Sequence, residues 1–131
     1  MNLVEQINAH EFCTFVEISE PDVNVLRIVI DEAKASNTET RELEVGDVRL
    51  SELRPIVSND TCYRYEVFFG SYVAYSIRNE SYAVMDKGEM FRGRLFNVYS
   101  RSHFLDYVRG STIASNDYPG PFAHYGTVSI T

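Results

Sequence analysis

Apolar and polar positions alternate with a two-residue period over much of this chain, the period of half-buried strands. The densest such run is Tyr63 to Tyr82, YRYEVFFGSYVAYSIRNESY. Its aromatic and β-branched composition suits a pleated surface, and it is broken once, at Gly70-Ser71. Two strands around a short glycine turn are predicted there. Tyr63, Tyr65, Val67 and Phe69 share one face of the first arm, and Val73, Tyr75 and Ile77 share one face of the second. A three-residue loop, Gly70 to Tyr72, pairs Phe69 with Val73 and puts both apolar sets on one face; a two-residue loop puts them on opposite faces. The longer loop, or a bulge at Gly70, is therefore expected, although it sets Arg64 opposite Arg78.

The next strand signal is Val23 to Ala35, with Leu26, Ile28 and Ile30 on one face and Val25, Arg27 and Val29 on the other. Phe12 to Ile18 alternates with apolar residues on both faces, and Glu20-Pro21-Asp22 reads as a turn. Glu42 to Leu50, ELEVGDVRL, predicts a hairpin turning at Gly46-Asp47, a pair suited to a type II′ turn. Ile56-Val57, entered from Pro55, predicts a short edge strand, followed by a turn at Ser58 to Thr61. Tyr82 to Met85 predicts another short strand, ended by Asp86-Lys87-Gly88. Phe91 to Tyr99 predicts one strand, and Phe122 to Thr131 a closing one.

Two stretches change period. Leu3, Val4 and Ile7 have helical spacing, enough for one or two turns, with a strand running into Phe12 as the alternative. Ser102 can cap a helix over His103 to Arg109 with Phe104, Leu105 and Val108 as its apolar stripe, stopped by Gly110. Pro121 disfavours the type II turn that Tyr118-Pro119-Gly120 invites, so a stiff, extended connection is expected there. Many short strands with turn signals between them give a mainly β fold, an antiparallel β-sandwich or open barrel with one short helix in the C-terminal half. An α+β arrangement is the variant. The 131 residues suit one domain, 1–131.

Composition narrows the class. No run approaches the roughly 20 apolar residues of a membrane helix. The first residues, MNLVEQINAHEF, lack the basic region and apolar core of a signal peptide. Cys13 and Cys62 stand apart and form no C-x-x-C, which fits reduced, structural thiols and a cytoplasmic location. No membrane partner, cofactor or metal is implied. The net charge of −7 is uneven: residues 1–60 carry 13 Asp/Glu and 5 Lys/Arg, residues 61–131 carry 6 and 7. The whole molecule should repel nucleic acid at long range.

Motifs with chemistry are sparse. His103 and Asp106 share a helix face and, with His124 or His10, make a candidate metal or acid–base group, but no second tightly spaced ligand pair accompanies them. The plainer reading is a helix-start histidine near solvent. Neither cysteine sits in a catalytic motif, and no G-x-S-x-G elbow, phosphate loop or Ca²⁺ loop is present. Lys87, Arg92, Arg94, Arg101 and Arg109 interleave with Phe91, Phe96 and Tyr99, a pattern usable for single-stranded nucleic acid. The plainer reading has those arginines pairing with the acidic first half. Tyrosines favour interfaces, and Tyr118 and Tyr125 are the ones expected at the surface.

The leading expectation is a binding module whose acidic face, with Glu39, Glu42 and Glu44, meets a basic protein, as an inhibitor or immunity-type protein does. A small-ligand or sugar-binding sandwich and a small metal-dependent hydrolase are the alternatives. A homodimer through the closing strand is a further expectation.

Overall fold

The computed structural model describes residues 2–36, 41–45, 48–53, 56–84 and 86–129, with the backbone alone for 41–45 and 48–53. The chain is mainly β and every strand pairing is antiparallel. Helix α1 (Leu3–Asn8) begins at Asn2, whose side chain accepts from Glu5 N while Glu5 reaches back to Asn2 N. This reciprocal cap holds the helix, of which Ile7 is the buried anchor.

Strands β1 (Phe12–Asp22) and β2 (Val25–Ala35) form a long hairpin. Its turn is Val23-Asn24, with Asn24 at φ 59°, a left-handed conformation that asparagine tolerates. The turn expected at Glu20-Pro21-Asp22 is instead the end of β1. Pro21 is accommodated because β1 is an edge strand and its register shifts between Ser19 and Asp22.

β2 is the hub. It pairs with β1, with β5 (Ile56–Val57) and with β6 (Arg64–Gly70). It buries Leu26, Ile28 and Ile30 on one face and Val29 and Ala33 on the other. The β6 pairing corrects the hairpin expected across Gly70. Val25 opposes Gly70 and Asp31 opposes Arg64, whereas residues 72–79 form no strand. Ser71 takes φ 53° and turns the chain away. Local loop closure lost to a strand whose two faces were already apolar.

β3 (Arg41–Val45) and β4 (Val48–Leu53) form the expected hairpin, with Val45 opposite Val48. Gly46-Asp47 and Pro55 lie outside the described residues. Among the described residues this ribbon pairs with no other strand. The turn at Ser58 to Thr61 is held by Asn59, whose side chain accepts from Thr61 N at 2.9 Å.

The Phe91–Tyr99 strand divides into β7 (Met90–Arg92) and β8 (Phe96–Arg101), a hairpin turning at Gly93. Gly93 has φ 108°, and a Cβ there would overlap the Phe96 carbonyl oxygen. Phe91 and Tyr99 oppose each other across the hairpin. β9 (His124–Thr127) completes this three-stranded sheet; the expected closing strand is thus shorter, and Ile130 and Thr131 lie outside the described residues. Helix α2 (His103–Ser111) starts at the expected Ser102 cap and runs through Gly110 rather than stopping there.

Glu80–Tyr82 is a 3₁₀ turn capped by Asn79, so no strand begins at Tyr82; Met85 lies outside the described residues. The connection at Tyr118–Pro121 is not extended: Ser115 N donates to Tyr118 O and the Ser115 hydroxyl accepts from Asp117 N and Tyr118 N. The Tyr118–Pro119 peptide is cis.

Both larger sheets and α1 supply one core of Ile7, Cys13, Ile30, Tyr65, Leu95 and Phe96. Asn8 joins them. Its Oδ1 accepts from the consecutive amides of Arg94, Leu95 and Phe96 at 2.7–2.9 Å, and its Nδ2 donates to Phe96 O at 3.0 Å.

Candidate functional site

Two polar clusters hold the three histidines, and they lie on different elements. The first surrounds the start of α2. Ser102 Oγ accepts from Leu105 N at 3.0 Å as the helix cap and lies 2.7 Å from His124 Nδ1. His124 stacks on Tyr99, with ring centroids 4.2 Å apart, and meets the Phe104 ring at 5.3 Å. This burial lowers its pKa from the ordinary histidine value, because the charged ring would lose solvation. A serine–histidine pair at this distance has the geometry of a nucleophile and its base. Here the serine is buried and its oxygen is already a helix cap. No carboxylate hydrogen-bonds to the other His124 nitrogen among the described residues. The arrangement fixes a helix start.

One residue on, His103 Nε2 meets Asp86 Oδ2 at 2.6 Å, and Glu89 accepts from His103 N at 3.0 Å. Hydrogen bonding to Asp86 raises the His103 pKa. Asp86 is held below its ordinary value, first by the Gly88 amide and then by His103. His103 therefore pairs with Asp86 across the turn at Asp86-Lys87-Gly88. Beside it opens a depression of about 400 Å³ lined by Gly88, Arg101, His103, Asp106 and Arg109, among others. Arg109 also lies 4.7 Å over the Phe122 ring.

The second cluster is a relay from Glu32 through His10 to Tyr65. His10 Nδ1 is 2.9 Å from Glu32 Oε2, and His10 Nε2 hydrogen-bonds the Tyr65 hydroxyl. Glu32 Oε1 also accepts from Tyr63 N at 3.0 Å. A neutral His10 protonated on Nδ1 satisfies both contacts, donating to Glu32 and accepting from Tyr65. Burial and then Glu32 push the Tyr65 hydroxyl up, so it stays protonated. Burial likewise raises the Cys13 thiol, the reverse of what a reactive thiolate needs.

Among the described residues no three His, Cys, Asp or Glu side chains are placed to hold a metal ion. His103, Asp106 and His124 adjoin one helix turn. His10 stands in the other cluster. Sequence reasoning missed the relay because residues 10, 32 and 65 meet only through the β1–β2–β6 register. That register opposes Glu32 to Cys13 and Ile30 to Tyr65.

Several acids of β1 and β2 have partners. Asp31 takes both Nε and Nη2 of Arg64, at 2.7 and 2.9 Å. Arg27 bridges Glu17 and Glu66, and Glu20 accepts from the Tyr72 hydroxyl at 2.8 Å. The arginines that balance them thus come from β2 and β6, not from the basic stretch. Arg94 donates instead to the carbonyls of Asn8, His10 and Glu11. Glu42 and Glu44 belong to β3, and their side chains, with all of Glu39, lie outside what is described. Tyr118 is exposed in its turn. Tyr125 is half-exposed on β9, against Phe69 and Phe96. Tyr82, at 79 % exposed, exceeds both.

Among the described residues no helix is long and apolar enough to cross a membrane. No family model, curated protein or solved structure matches this chain.

Proposed function

We propose that this chain is a binding module that meets a basic protein through the β3–β4 ribbon. The observation that carries this reading is the ribbon's isolation: among the described residues it pairs with neither sheet. Two strands alone are marginal in water, so a ribbon of this kind gains order by lying against a partner. Its register opposes Leu43 to Leu50 and Val45 to Val48, with Glu44 opposite Arg49 on the alternate positions. One set of positions is apolar and the other is charged.

Charge supports the same surface. In β1 and β2, Glu17 pairs with Arg27 and Asp31 with Arg64. The stretch 37–54 carries Glu39, Glu42, Glu44, Asp47 and Glu52 against Arg41, Arg49 and Arg54, a surplus of acid. Such a face speeds encounter with a basic protein and is screened by salt. An inhibitor or immunity-type protein covering a basic active surface works in this way.

The test is capture from the source lysate on the immobilised chain, with identified proteins quantified. Basic proteins should be retained at low salt and lost at about 1 M salt, where the Debye length is about 3 Å. The triple change Glu39→Gln, Glu42→Gln and Glu44→Gln should lose them while circular dichroism stays unchanged. Specific retention that ignores both salt and the triple change overturns the reading.

A further inference from the structure

Three strands of the four-stranded sheet flank β2, the two-residue β5 and the long β1 and β6, and the two long ones are built differently. β1 carries two register shifts and Pro21, and its amide at Phe15 is covered by the Ser129 hydroxyl at 2.7 Å. Bulges, proline and a covering segment are the devices by which an edge strand is kept from pairing. Among the described residues β6 has none of them. Its seven residues oppose β2 without one register shift, from Arg64 opposite Asp31 to Gly70 opposite Val25. Tyr63 O accepts from Glu32 N, which places the odd-numbered residues of β6 in the bonded pairs. The backbone groups of Arg64, Glu66 and Phe68 then point away from β2. Among the described residues no backbone group bonds them.

We propose that β6 pairs antiparallel with β6 of a second copy of this chain, about a twofold axis through Val67. Two observations support this pairing of β6 with its own copy. First, this register uses the whole strand: Arg64 meets Gly70 of the other copy, Tyr65 meets Phe69 and Val67 meets Val67. The core-face row, in which Val67 and Phe69 are only half-buried, then runs unbroken across the seam. Second, it sets Glu66 opposite Phe68, whereas an axis through Glu66 would oppose two like charges. The β3–β4 ribbon takes no part in this pairing.

Sedimentation velocity on the full chain tests it, with the substitution at Phe68 chosen to read the register. Phe68 is 55 % exposed on the outer face, opposite Arg27; Glu there meets a cation and Lys a like charge at modest cost, and circular dichroism checks that both variants fold. Phe68→Glu faces Glu66 of the other copy twice and should give a monomer. Phe68→Lys faces the same Glu66 and should remain a dimer. Val67→Cys should form a disulfide-linked dimer under mild oxidation, because Val67 faces itself in a pair with Cα atoms about 4.5 Å apart. Wild type, with Cys13 and Cys62, is the control. A monomeric wild type overturns the proposal and leaves the edge to an extended segment of another protein. A dimer that survives Phe68→Glu, or that fails to cross-link through Val67→Cys, also overturns it.

Discussion

Single residues hold this molecule together where its elements meet. Asn8 is the clearest. One amide oxygen satisfies three consecutive backbone N–H groups at the β7–β8 turn, a concavity that elsewhere takes an anion. Asn8→Ala leaves those donors without an acceptor, two of them part-buried, and should cost about 2–4 kcal/mol in a urea melt. Asn8→Asp restores the acceptor for the three amides but turns the Nδ2 donor to Phe96 O into a second acceptor, so it should recover only part of that loss. The histidines set the pH response. His103 has a raised pKa, so its contribution is full below about 6.5 and is lost as pH rises through the folded value. His124 has a lowered pKa. Its contribution is present above about 6.5 and is lost as pH falls through the folded value. The two oppose each other. His103 is exposed and its pair with Asp86 is screened, so His124 should dominate. Urea midpoints between about pH 5 and 8 check this: His124→Gln should flatten the acid-side loss, and His103→Gln should leave it in place.

At the scale of elements, Gly93 and Gly110 behave oppositely. Gly93 sits at φ 108° with no room for a Cβ, so Gly93→Ala should destabilise by about 2–3 kcal/mol. Gly110 lies inside α2 with nothing near a Cβ, and Gly110→Ala should stabilise by about 0.5–1 kcal/mol. Thermal melts of the two variants should shift in opposite directions. The same pair shows what was legible in the sequence. The Ser102 cap, the α1 spacing, the β2 run and the β3–β4 hairpin are local patterns, and each appears where its pattern lies. Gly93 gives no local sign of a turn, because Phe91 to Tyr99 keeps a continuous strand composition across it. Gly110 reads as a stop in the sequence, although its backbone stays helical. The second arm of the central run failed for a physical reason of another kind. Register logic compared only neighbours in sequence, whereas β6 found its partner about 40 residues upstream in β2. The Glu32–His10–Tyr65 relay was invisible for the same reason, since it exists only once that non-local register is made.

At the scale of the whole molecule, stability and exposure are unevenly shared. β2 is paired on both edges and buries Ile28, Val29 and Ile30. Among the described residues the β3–β4 ribbon pairs only within itself. Local opening free energies follow buried contact and backbone protection, and the least stable parts are those that binding recruits. Amide exchange should separate the two. In the free chain the amides of Ile28 to Ile30 should exchange slowest, near the global unfolding limit. Those of Leu43 to Val45 and Val48 to Leu50 should exchange far faster. Addition of the basic partner should then slow the ribbon amides selectively, because a partner that binds only the ordered ribbon stabilises it by mass action. The slowing should diminish as salt rises, in step with the lost affinity. Ribbon amides as slow as those of β2 in the free chain would mean that the hairpin is already anchored. The reason for assigning it to a partner would then disappear.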